Sequence, residues 1–359
     1  EIVLSVVQME DDAPLLPSPL LTGIAAAHAV PRWPEPRVAA VQYAARPAIE
    51  SQVDGRLPPV TGDEARRGGA RLLELQSGCP FRAQAELRLG ARALEDPTVG
   101  VDAAERGDLV HAALATLWQE LGDSTHLQAL DDAALREVVH RAVAAALAEA
   151  RRSADDVLRH LLDLEAAWLE ARVLEMVAAD RARPPFAVVA LEQPCTARIG
   201  ALTLEMRPDR VDRLADGSLA VIDYKTGANA EVRAWLDERP RLPQLPAYVQ
   251  ALGAERVGAV AFARVRSGDT GYAGIARAAE LFPGLKVPGA KGGPRGFATW
   301  EALLAEWQRR LEALAAEYVA GDARLAPNPS QACSYCHLGA LCRIGETDAS
   351  DADEEPGDD

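Results

Sequence analysis

The spacing of apolar residues divides the chain into a helical part and a strand-rich part. Helical periodicity begins at Ala70, is interrupted by the sequence Gly-Cys-Pro-Phe at 78–81, and continues to about Arg181. Residues 102–121 within this part predict an amphipathic helix. Its apolar face contains Leu109, Val110, Ala113, Leu114, Leu117, Trp118 and Leu121.

Strand-like periodicity follows the helical part. The predicted strands are 186–192, 202–214, 218–224, 257–265 and 271–276. A helix from about Leu242 to Leu252 lies among them, and a long helix at about Thr299–Val319 comes before a short cysteine-rich segment. Helices followed by hairpins, a helix and further strands predict an α/β fold in which helices flank a sheet.

One predicted hairpin brings acidic residues together. Asp-Gly is a favoured hairpin turn, and a three-residue loop at 215–217 places Asp209 opposite Asp223. Directly opposed side chains of antiparallel strands lie about 5 Å apart. Lys225, one of only three lysines in the chain, projects from the same face as Asp223. The hairpin therefore predicts two acids and one lysine on one patch of sheet.

This patch has two interpretations. On an exposed sheet face, acid–lysine pairs are common and contribute little to stability. The sequence Ala-Val-Ile-Asp-Tyr at 220–224 is apolar on both sides of the strand, however, which is typical of a central buried strand. Two buried carboxylates that face each other are unfavourable unless a positive charge neutralises them. A divalent cation such as Mg²⁺, which binds carboxylates, water and phosphate oxygens, meets this need.

Charge is distributed unevenly along the chain. Half of the net charge of −16 belongs to residues 346–359, which hold eight acidic residues and no basic ones and predict a disordered tail. The remaining body is mildly acidic and rich in arginine, so it is compatible with a local basic groove. The arginines near the acidic patch that we expect to line such a groove are Arg210, Arg213, Arg233, Arg239, Arg241, Arg264 and Arg266.

Three segments are expected along the chain. The proline-rich residues 1–65 predict a strand remnant and an extended connector, which we expect to continue from a longer helicase-like protein. Residues 66–345 form the predicted folded domain, and 346–359 form the acidic tail. No apolar run is long enough to span a membrane and no signal peptide opens the chain, so we expect a cytoplasmic protein with no membrane partner.

The hairpin sequence at 207–227 resembles the core of PD-(D/E)xK nucleases, specifically the nuclease domains of RecB and AddB type from bacterial double-strand-break repair. The family pattern is an acid on one strand and Asp-x-Lys on the next. The resemblance implies a restriction-endonuclease-like mixed central sheet. It also implies that Asp209, Asp223 and the backbone carbonyl of Tyr224 bind the catalytic metal. Lys225 is then the catalytic lysine, which positions the attacking water and stabilises charge on the phosphate.

Two helical motifs extend the resemblance. Gly107 and His111 match the Gly-x-x-x-His helix of the family, whose histidine is a metal ligand. Without the resemblance, a lone helix histidine is more often a packing residue. Gln244 and Tyr248 match the Gln-x-x-x-Tyr helix of the family and share a helix face. The resemblance implies that these two residues position the DNA strand.

Four of the five cysteines form a pattern typical of a metal site. Three follow a Cys-x2-Cys-x5-Cys spacing at 333–342 and the fourth lies far upstream, which suits either a [4Fe–4S] cluster or tetrahedral zinc. The fifth, Cys195, predicts a small buried apolar side chain. In AddB and CRISPR-associated exonucleases this arrangement holds a [4Fe–4S] cluster. The resemblance therefore implies a cluster that staples the N- and C-terminal parts of the domain together, bound by Cys79, Cys333, Cys336 and Cys342.

The residues and the resemblance together predict a Mg²⁺- or Mn²⁺-dependent deoxyribonuclease. We expect an exonuclease that processes single-stranded or duplex DNA ends in repair, with a helicase subunit or the remainder of a helicase–nuclease chain as its partner. The alternative is a catalytically inactive DNA-binding or scaffold module of such a complex. The intact set of His111, Asp209, Asp223 and Lys225 favours the active enzyme.

Overall fold

A computed structural model describes residues 9–10, 13–14, 16, 18–21, 41, 55–61, 68–94, 100–227 and 230–344. The chain divides into two compact units, Glu1–Val53 and Asp54–Asp359. In the first unit, Met9–Glu10 pairs antiparallel with Ala13–Pro14, and Pro19–Leu21 forms a 3-10 turn. The expected tail at 346–359 and most of the expected connector at 1–65 lie outside the described residues.

In the second unit, a helical part precedes a strand-rich part, as the sequence predicted. The helices are α1 (Gly69–Gly78), α2 (Pro80–Leu87), α3 (Ala103–Leu121), α4 (Ser124–Ala129), α5 (Asp132–Ser153), α6 (Asp156–Arg181), α7 (Gln244–Leu252), α8 (Trp300–Val319) and α9 (Gly339–Cys342). The strands are β1 (Phe186–Leu191), β2 (Cys195–Ile199), β3 (Leu202–Met206), β4 (Arg210–Leu214), β5 (Leu219–Lys225), β6 (Val257–Arg264) and β7 (Gly271–Ala276). No helix in the described part of the chain is long and apolar enough to cross a membrane.

Helix α3 illustrates how the local sequence fixes an element that carries a site residue. The side chain of Asp102 accepts hydrogen bonds from the backbone N–H groups of Ala104 and Glu105, and Glu105 completes a capping box. The helix ends at Leu121 and is capped by Gly122, which has a φ of 72°. This helix, predicted at 102–121, is confirmed, and its apolar face is buried from Val110 to Leu121.

Among the described residues, the main sheet has five strands in the order β1-β4-β5-β6-β7. Strands β5 and β6 are parallel and α7 lies in their connection, whereas the other neighbouring pairs are antiparallel. Strand β5 is central, and its residues from Leu219 to Tyr224 are buried. The predicted mixed sheet flanked by helices, consistent with a restriction-endonuclease-like fold, is thus observed.

The single strand predicted at 202–214 is wrong. Strand β3 pairs with β2 in a separate two-stranded sheet, and the chain enters the main sheet only at β4. Pro208 lies at the change of sheet, where it has no N–H to donate to a ladder. The break places Asp209 one residue before β4, beside the neighbouring strands.

The two faces of the main sheet pack against different helices. On one face, Val211, Val221, Val260 and Phe262 belong to a core that includes residues of α1, α7, α8 and the small sheet. On the other face, the core contains alternate residues of β5 and β6 together with side chains of α3, α5 and α6. The sheet is therefore the middle layer of an α/β/α arrangement.

Buried charged side chains lie on the face of the main sheet that packs against α3, α5 and α6. Arg210 on β4 donates hydrogen bonds to Asp212 at 2.7 and 2.9 Å and to Asp180, near the end of α6, at 3.1 and 3.2 Å. It also donates to the hydroxyl of Tyr224 at 3.4 Å. Arg210 is fully buried, so its expected position in a DNA groove is wrong. Its partners neutralise a charge that would otherwise be costly to bury.

A second arginine shares these partners. Arg183 donates to Asp180 at 2.8 Å, and its guanidinium lies 4.1 Å from the ring centroids of both Phe186 and Phe282. The hydroxyl of Tyr272 donates to Asp180 at 2.6 Å. Although burial favours the neutral acid, Arg210 and Arg183 hold the pKa of Asp180 below its usual range. We call this set the ionic network; it comprises Asp180, Arg183, Arg210, Asp212, Tyr224 and Tyr272.

Replacement of Asp180 should strongly destabilise the fold. Asp180→Asn leaves two buried guanidinium groups with only one carboxylate, so we expect the free energy of unfolding to fall by about 3–5 kcal/mol. Urea unfolding followed by circular dichroism measures this change. The control is Asp163→Asn on the same helix, which removes an ion pair between Arg151 and a 68% exposed acid and should change stability little. Similar small effects of both substitutions would contradict this account of the network.

Candidate metal centre

The β4–β5 hairpin has the register that the sequence predicted. Arg210 pairs with Ile222 and Val211 with Val221, so Asp209, one residue before β4, comes opposite Asp223. Gly217 in the loop has a φ of 84°, which is a left-handed conformation that favours glycine. Since side chains alternate along a strand, Asp209, Asp223 and Lys225 face the same side of the sheet.

Asp209 is held by both neighbouring strands. Its backbone carbonyl accepts a hydrogen bond from the N–H of Glu192 at 3.1 Å. Its side-chain Oδ2 accepts one from the N–H of Tyr224 at 2.7 Å. The carboxylate is buried in a fixed position as a result.

Asp223 is a buried acid with incomplete hydrogen bonding. Only 1% of the residue is exposed, and Oδ2 forms an ion pair with Nζ of Lys225 at 2.7 Å. Within the described part of the chain, neither carboxylate oxygen makes a hydrogen bond of good geometry. Burial and the charge of Asp209 raise the pKa of Asp223 to about 6, and Lys225 offsets only part of this effect. Buried polar atoms without partners are rare in folded proteins. A divalent cation is a partner that fits two such oxygens.

His111 reaches the same patch from α3. A Cβ at Gly107, one turn earlier, would lie 3.3 Å from Oγ1 of Thr226, so the glycine lets the helix approach the end of β5. His111 Nε2 lies 3.1 Å from the carbonyl oxygen of Tyr224, and Nδ1 lies 3.5 Å from Oδ2 of Asp209. Burial favours the neutral ring, but Asp209 and then Asp223 outweigh it and raise the pKa of His111 to about 8. The sequence-predicted residues Asp209, Asp223 and His111 therefore lie together.

Glu192 is a site residue that the sequence analysis missed. It directly follows β1, and its Oε1 lies 4.0 Å from Nδ1 of His111. Ligand atoms of His111, Glu192 and Asp209 all lie within 4.8 Å of one another, as expected for residues that bind one metal ion. Burial and the nearby charge of Asp209 raise the pKa of Glu192. One feature of the sequence could have indicated Glu192: it is an acid at the end of the predicted strand 186–192, as Asp223 is near the end of the predicted strand 218–224.

Lys225 lies at the end of a chain of hydrogen bonds. Its ammonium donates to Oε1 of Gln244 at 3.4 Å, and Nε2 of Gln244 donates to the hydroxyl of Tyr248 at 2.7 Å. The hydroxyl of Tyr248 donates to the backbone carbonyl of Arg207 at 3.1 Å. Burial favours the neutral amine, but Asp223 raises the pKa of Lys225, so the side chain stays charged. The structure thus places Gln244 and Tyr248 beside the acidic patch.

Comparison with known protein families agrees with this geometry. The model of a family described as the PD-(D/E)XK nuclease superfamily matches residues 71–343. The chain belongs to this superfamily. Membership of the PD-(D/E)XK nucleases implies a metal-dependent nuclease, and the matched range contains every residue of the candidate metal centre.

Other comparisons add little to the family assignment. No curated protein matches the chain. A solved structure titled "Crystal structure of SSO0001" aligns with 76% of this chain and 93% of its own length, at 13% sequence identity and a TM-score of 0.29. A likeness at this TM-score carries no argument about this PD-(D/E)XK nuclease.

The four cysteines predicted to bind a cluster lie in one region of the PD-(D/E)XK domain. Cys79 lies between α1 and α2, whereas Cys333, Cys336 and Cys342 lie near the end of the described chain. Burial raises the pKa of Cys333, and Cys79, Cys336 and Cys342 are close enough to raise it further. Within the described ranges, the four thiols do not converge as tightly as the ligand atoms around His111. The iron–sulfur cluster stays a prediction.

Backbone hydrogen bonds join the two cysteine-bearing segments. The N–H of Phe81 donates to the carbonyl of Arg324 at 3.1 Å, and the N–H of Asn328 donates to that of Gly78 at 2.7 Å. The amide of Asn328 also lies 3.4 Å from the carbonyl oxygen of Ser77. These contacts bring the N-terminal and C-terminal parts of the domain together at the cysteines. Cys195, by contrast, begins β2 and packs partly buried against the first core.

A cavity of about 630 Å³ extends from Gln244 along α1 towards residues 328–332. Arg71, Arg82 and Arg241 line it. Each already contacts an acid in the described structure: Arg71 and Arg82 contact Glu86, and Arg241 contacts Asp237 and Glu231. Of the other arginines expected near DNA, Arg213 and Arg233 are exposed, Arg239 pairs with Glu317, and both Arg264 and Arg266 contact Asp269.

Mn²⁺ should raise the melting temperature of the protein through this centre. A ligand that binds only the folded state stabilises it by about 2.7 kcal/mol at 100 times its Kd. Asp223→Asn removes a buried ligand charge, so we expect the variant to lose most of this rise. Differential scanning fluorimetry in EDTA and in a Mn²⁺ series measures it. Glu205→Gln, an exposed acid on β3, is the control and should respond like the parent. An equal response of Asp223→Asn would contradict the assignment.

Proposed function

We propose that the domain hydrolyses DNA phosphodiester bonds with Mg²⁺ or Mn²⁺, as an exonuclease of the RecB and AddB type that processes DNA ends during repair. The observation that supports it most is the Asp223 carboxylate, which is buried without good hydrogen bonds opposite Asp209 and beside Lys225. Such a site is unfavourable in the protein alone and suits a bound cation. Superfamily membership supplies the nuclease chemistry.

The residues present fit a hard divalent cation. The imidazole of His111 and the carboxylates of Glu192 and Asp209 are suitable ligands for Mg²⁺ or Mn²⁺. The carboxylate of Asp223 lies opposite Asp209. When bound, the cation stabilises charge on a phosphate oxygen and lowers the pKa of a bound water. The carboxylates of these residues would hold the cation.

Lys225 and its partners act on the phosphate. Because Asp223 keeps the lysine charged, we infer that its ammonium stabilises negative charge on the phosphate and orients the attacking water, rather than removing a proton. The ammonium of Lys225 contacts both Asp223 and Gln244, and Tyr248 holds Gln244 by a hydrogen bond. Gln244 also lines the cavity, so it is suited to contact the DNA strand next to the cleaved bond.

Substitution of Lys225 tests the catalytic function. Lys225→Met should lower Mn²⁺-dependent cleavage of end-labelled linear DNA at least ~100-fold, the effect of removing a preorganised charge from a transition state. Glu205→Gln, at an exposed acid on β3, should cleave like the parent. Cleavage by Lys225→Met at the parent's rate would refute the catalytic role. No metal-dependent cleavage by any of the three proteins would favour a non-catalytic DNA-binding or scaffold module.

We also propose that Cys79, Cys333, Cys336 and Cys342 bind a [4Fe–4S] cluster. Four thiol side chains are the ligand set that such a cluster requires, and the other three cysteines are close enough to raise the pKa of Cys333. A cluster here would join segments that already share backbone hydrogen bonds between 77–81 and 324–328. Its role would be structural, because metal binding that requires the folded chain adds to folding stability.

Anaerobic purification tests the cluster. We expect the parent to contain roughly four irons per chain and to absorb broadly in the visible range. Cys342→Ser should lose iron and melt at a lower temperature, whereas Cys195→Ser, which replaces the fifth cysteine, should keep its iron. Stoichiometric zinc without iron would overturn the cluster proposal and leave the nuclease proposal unaffected.

A further inference from the structure

We propose that a loop between β7 and α8 binds the phosphate backbone of the substrate DNA, at a distance from the candidate metal centre. This basic loop comprises residues 281–299 and presents the side chains of Lys286, Lys291 and Arg295. The inference rests on the proposed nuclease function and deepens it, because it assigns a surface that holds DNA away from the cleaved bond.

The charge of the basic loop is opposite to that of the whole chain. The chain has a net charge of −16, whereas residues 281–299 contain three basic residues and no acidic ones. Two of the three lysines of the chain lie in this loop. A local cluster of basic residues attracts nucleic acid even when the total charge of the protein is negative. The loop therefore has the charge that a DNA-binding surface requires.

The three cations of the basic loop have no acidic partner in the described part of the chain. Lys286, Lys291 and Arg295 are exposed, and none of them forms an ion pair there. The arginines that line the cavity beside Gln244 differ, because each of them contacts an acid. A cation that contacts a carboxylate has to break that contact before it binds phosphate, whereas a solvated cation only exchanges salt ions. The loop is therefore better suited to bind phosphate than the arginines of the cavity.

Backbone contacts close the basic loop on itself. The N–H of Gly289 donates to the carbonyl of Phe297 at 3.1 Å. A Cβ at Gly293 would lie 2.1 Å from the carbonyl oxygen of Val287, so this close approach of two backbone segments requires glycine. The cations are thus presented by a preorganised loop, which lowers the entropy cost of binding.

The basic loop lies on an edge of the main sheet, away from the metal centre. Lys286 forms a bridge with Ile275 of β7, which pairs with Val260 of β6, which in turn pairs with Val221 of β5. Three strand spacings of about 4.8 Å and four residues of about 3.3 Å therefore separate the backbones of Lys286 and Lys225, a distance of about 20 Å. Because stacked DNA rises about 3.4 Å per nucleotide, the loop can reach phosphates roughly six nucleotides from the cleaved bond.

Protection of the sheet edge is a purely structural explanation for Lys286. Lysines beside an edge strand prevent its pairing with other sheets, and Lys286 lies beside β7. This explanation does not apply to Lys291 and Arg295, which lie in the loop outside the strands. These two residues therefore distinguish DNA binding from edge protection.

Fluorescence anisotropy of a labelled DNA duplex, measured in EDTA over a series of salt concentrations, tests the proposal without cleavage. We expect joint replacement of Lys286, Lys291 and Arg295 by glutamine to lower the slope of log affinity against log salt by about 2–3, since each phosphate contact contributes about 0.9. The affinity at ~0.1 M salt should fall at least ~10-fold. Replacement of Lys291 and Arg295 alone should lower the slope by about 2, whereas edge protection predicts no change.

Two control variants separate the charge of the loop from other effects. A variant that exchanges lysine for arginine and arginine for lysine at the three positions keeps the charge and should bind DNA like the parent. The second control removes three exposed arginines of other segments, namely Arg92, Arg136 and Arg198, by replacement with glutamine. It should also bind like the parent. If it weakens binding as much as the loop variant does, net charge rather than the loop determines affinity, and the inference is wrong.

The failures of the two proposals are distinguishable because anisotropy requires no cleavage. If the parent binds DNA and the loop variant binds it with the same affinity and salt slope, this inference is wrong and the proposed nuclease function stands. If the parent neither binds nor cleaves DNA, the proposed function is wrong and the inference falls with it.

Discussion

Alternation of side chains along the antiparallel β4–β5 hairpin determines both the candidate metal centre on one face of the sheet and the ionic network on the other. Because β4 and β5 pair in a single register, Asp209, Asp223 and Lys225 project from one face, whereas Arg210 and Tyr224 project from the other. The first set forms the acidic patch, and the second belongs to the ionic network. A slip of one residue would move every one of these side chains to the wrong face, so metal binding and core stability depend on the same pairing.

The two faces support each other through the backbone they share. The ionic network fixes Arg210 through Asp180 on α6, which also accepts a hydrogen bond from Tyr272 on β7, and Arg210 contacts the hydroxyl of Tyr224. Arg210 and Tyr224 directly neighbour Asp209 and Asp223 in the sequence. The backbone of Tyr224 in turn donates to the side chain of Asp209 and accepts from His111. Preorganisation of a catalytic constellation requires such support from residues that do not touch substrate. Here the supporting residues are the charged side chains of the ionic network. They make directional hydrogen bonds, but their burial requires the loss of their hydration.

The sequence predicted those parts of the site that depend on residues close together in the chain. The turn at 215–217 sets the hairpin register, and helical spacing alone aligns Gln244 with Tyr248. It did not predict contacts between residues that lie far apart in the chain. The partner that buries Arg210 comes from another element 30 residues away. Glu192 reaches the site only because β1 shifts register and its backbone turns left-handed, and neither feature follows from periodicity.

We propose that this acidic patch serves metal-dependent cleavage of DNA. The most direct measurement incubates purified protein with end-labelled linear DNA, with Mn²⁺ or with EDTA, and resolves the products by length. We expect the label to be released in Mn²⁺ and the DNA to stay intact in EDTA. Intact DNA in both conditions, from protein that binds Mn²⁺, would contradict it.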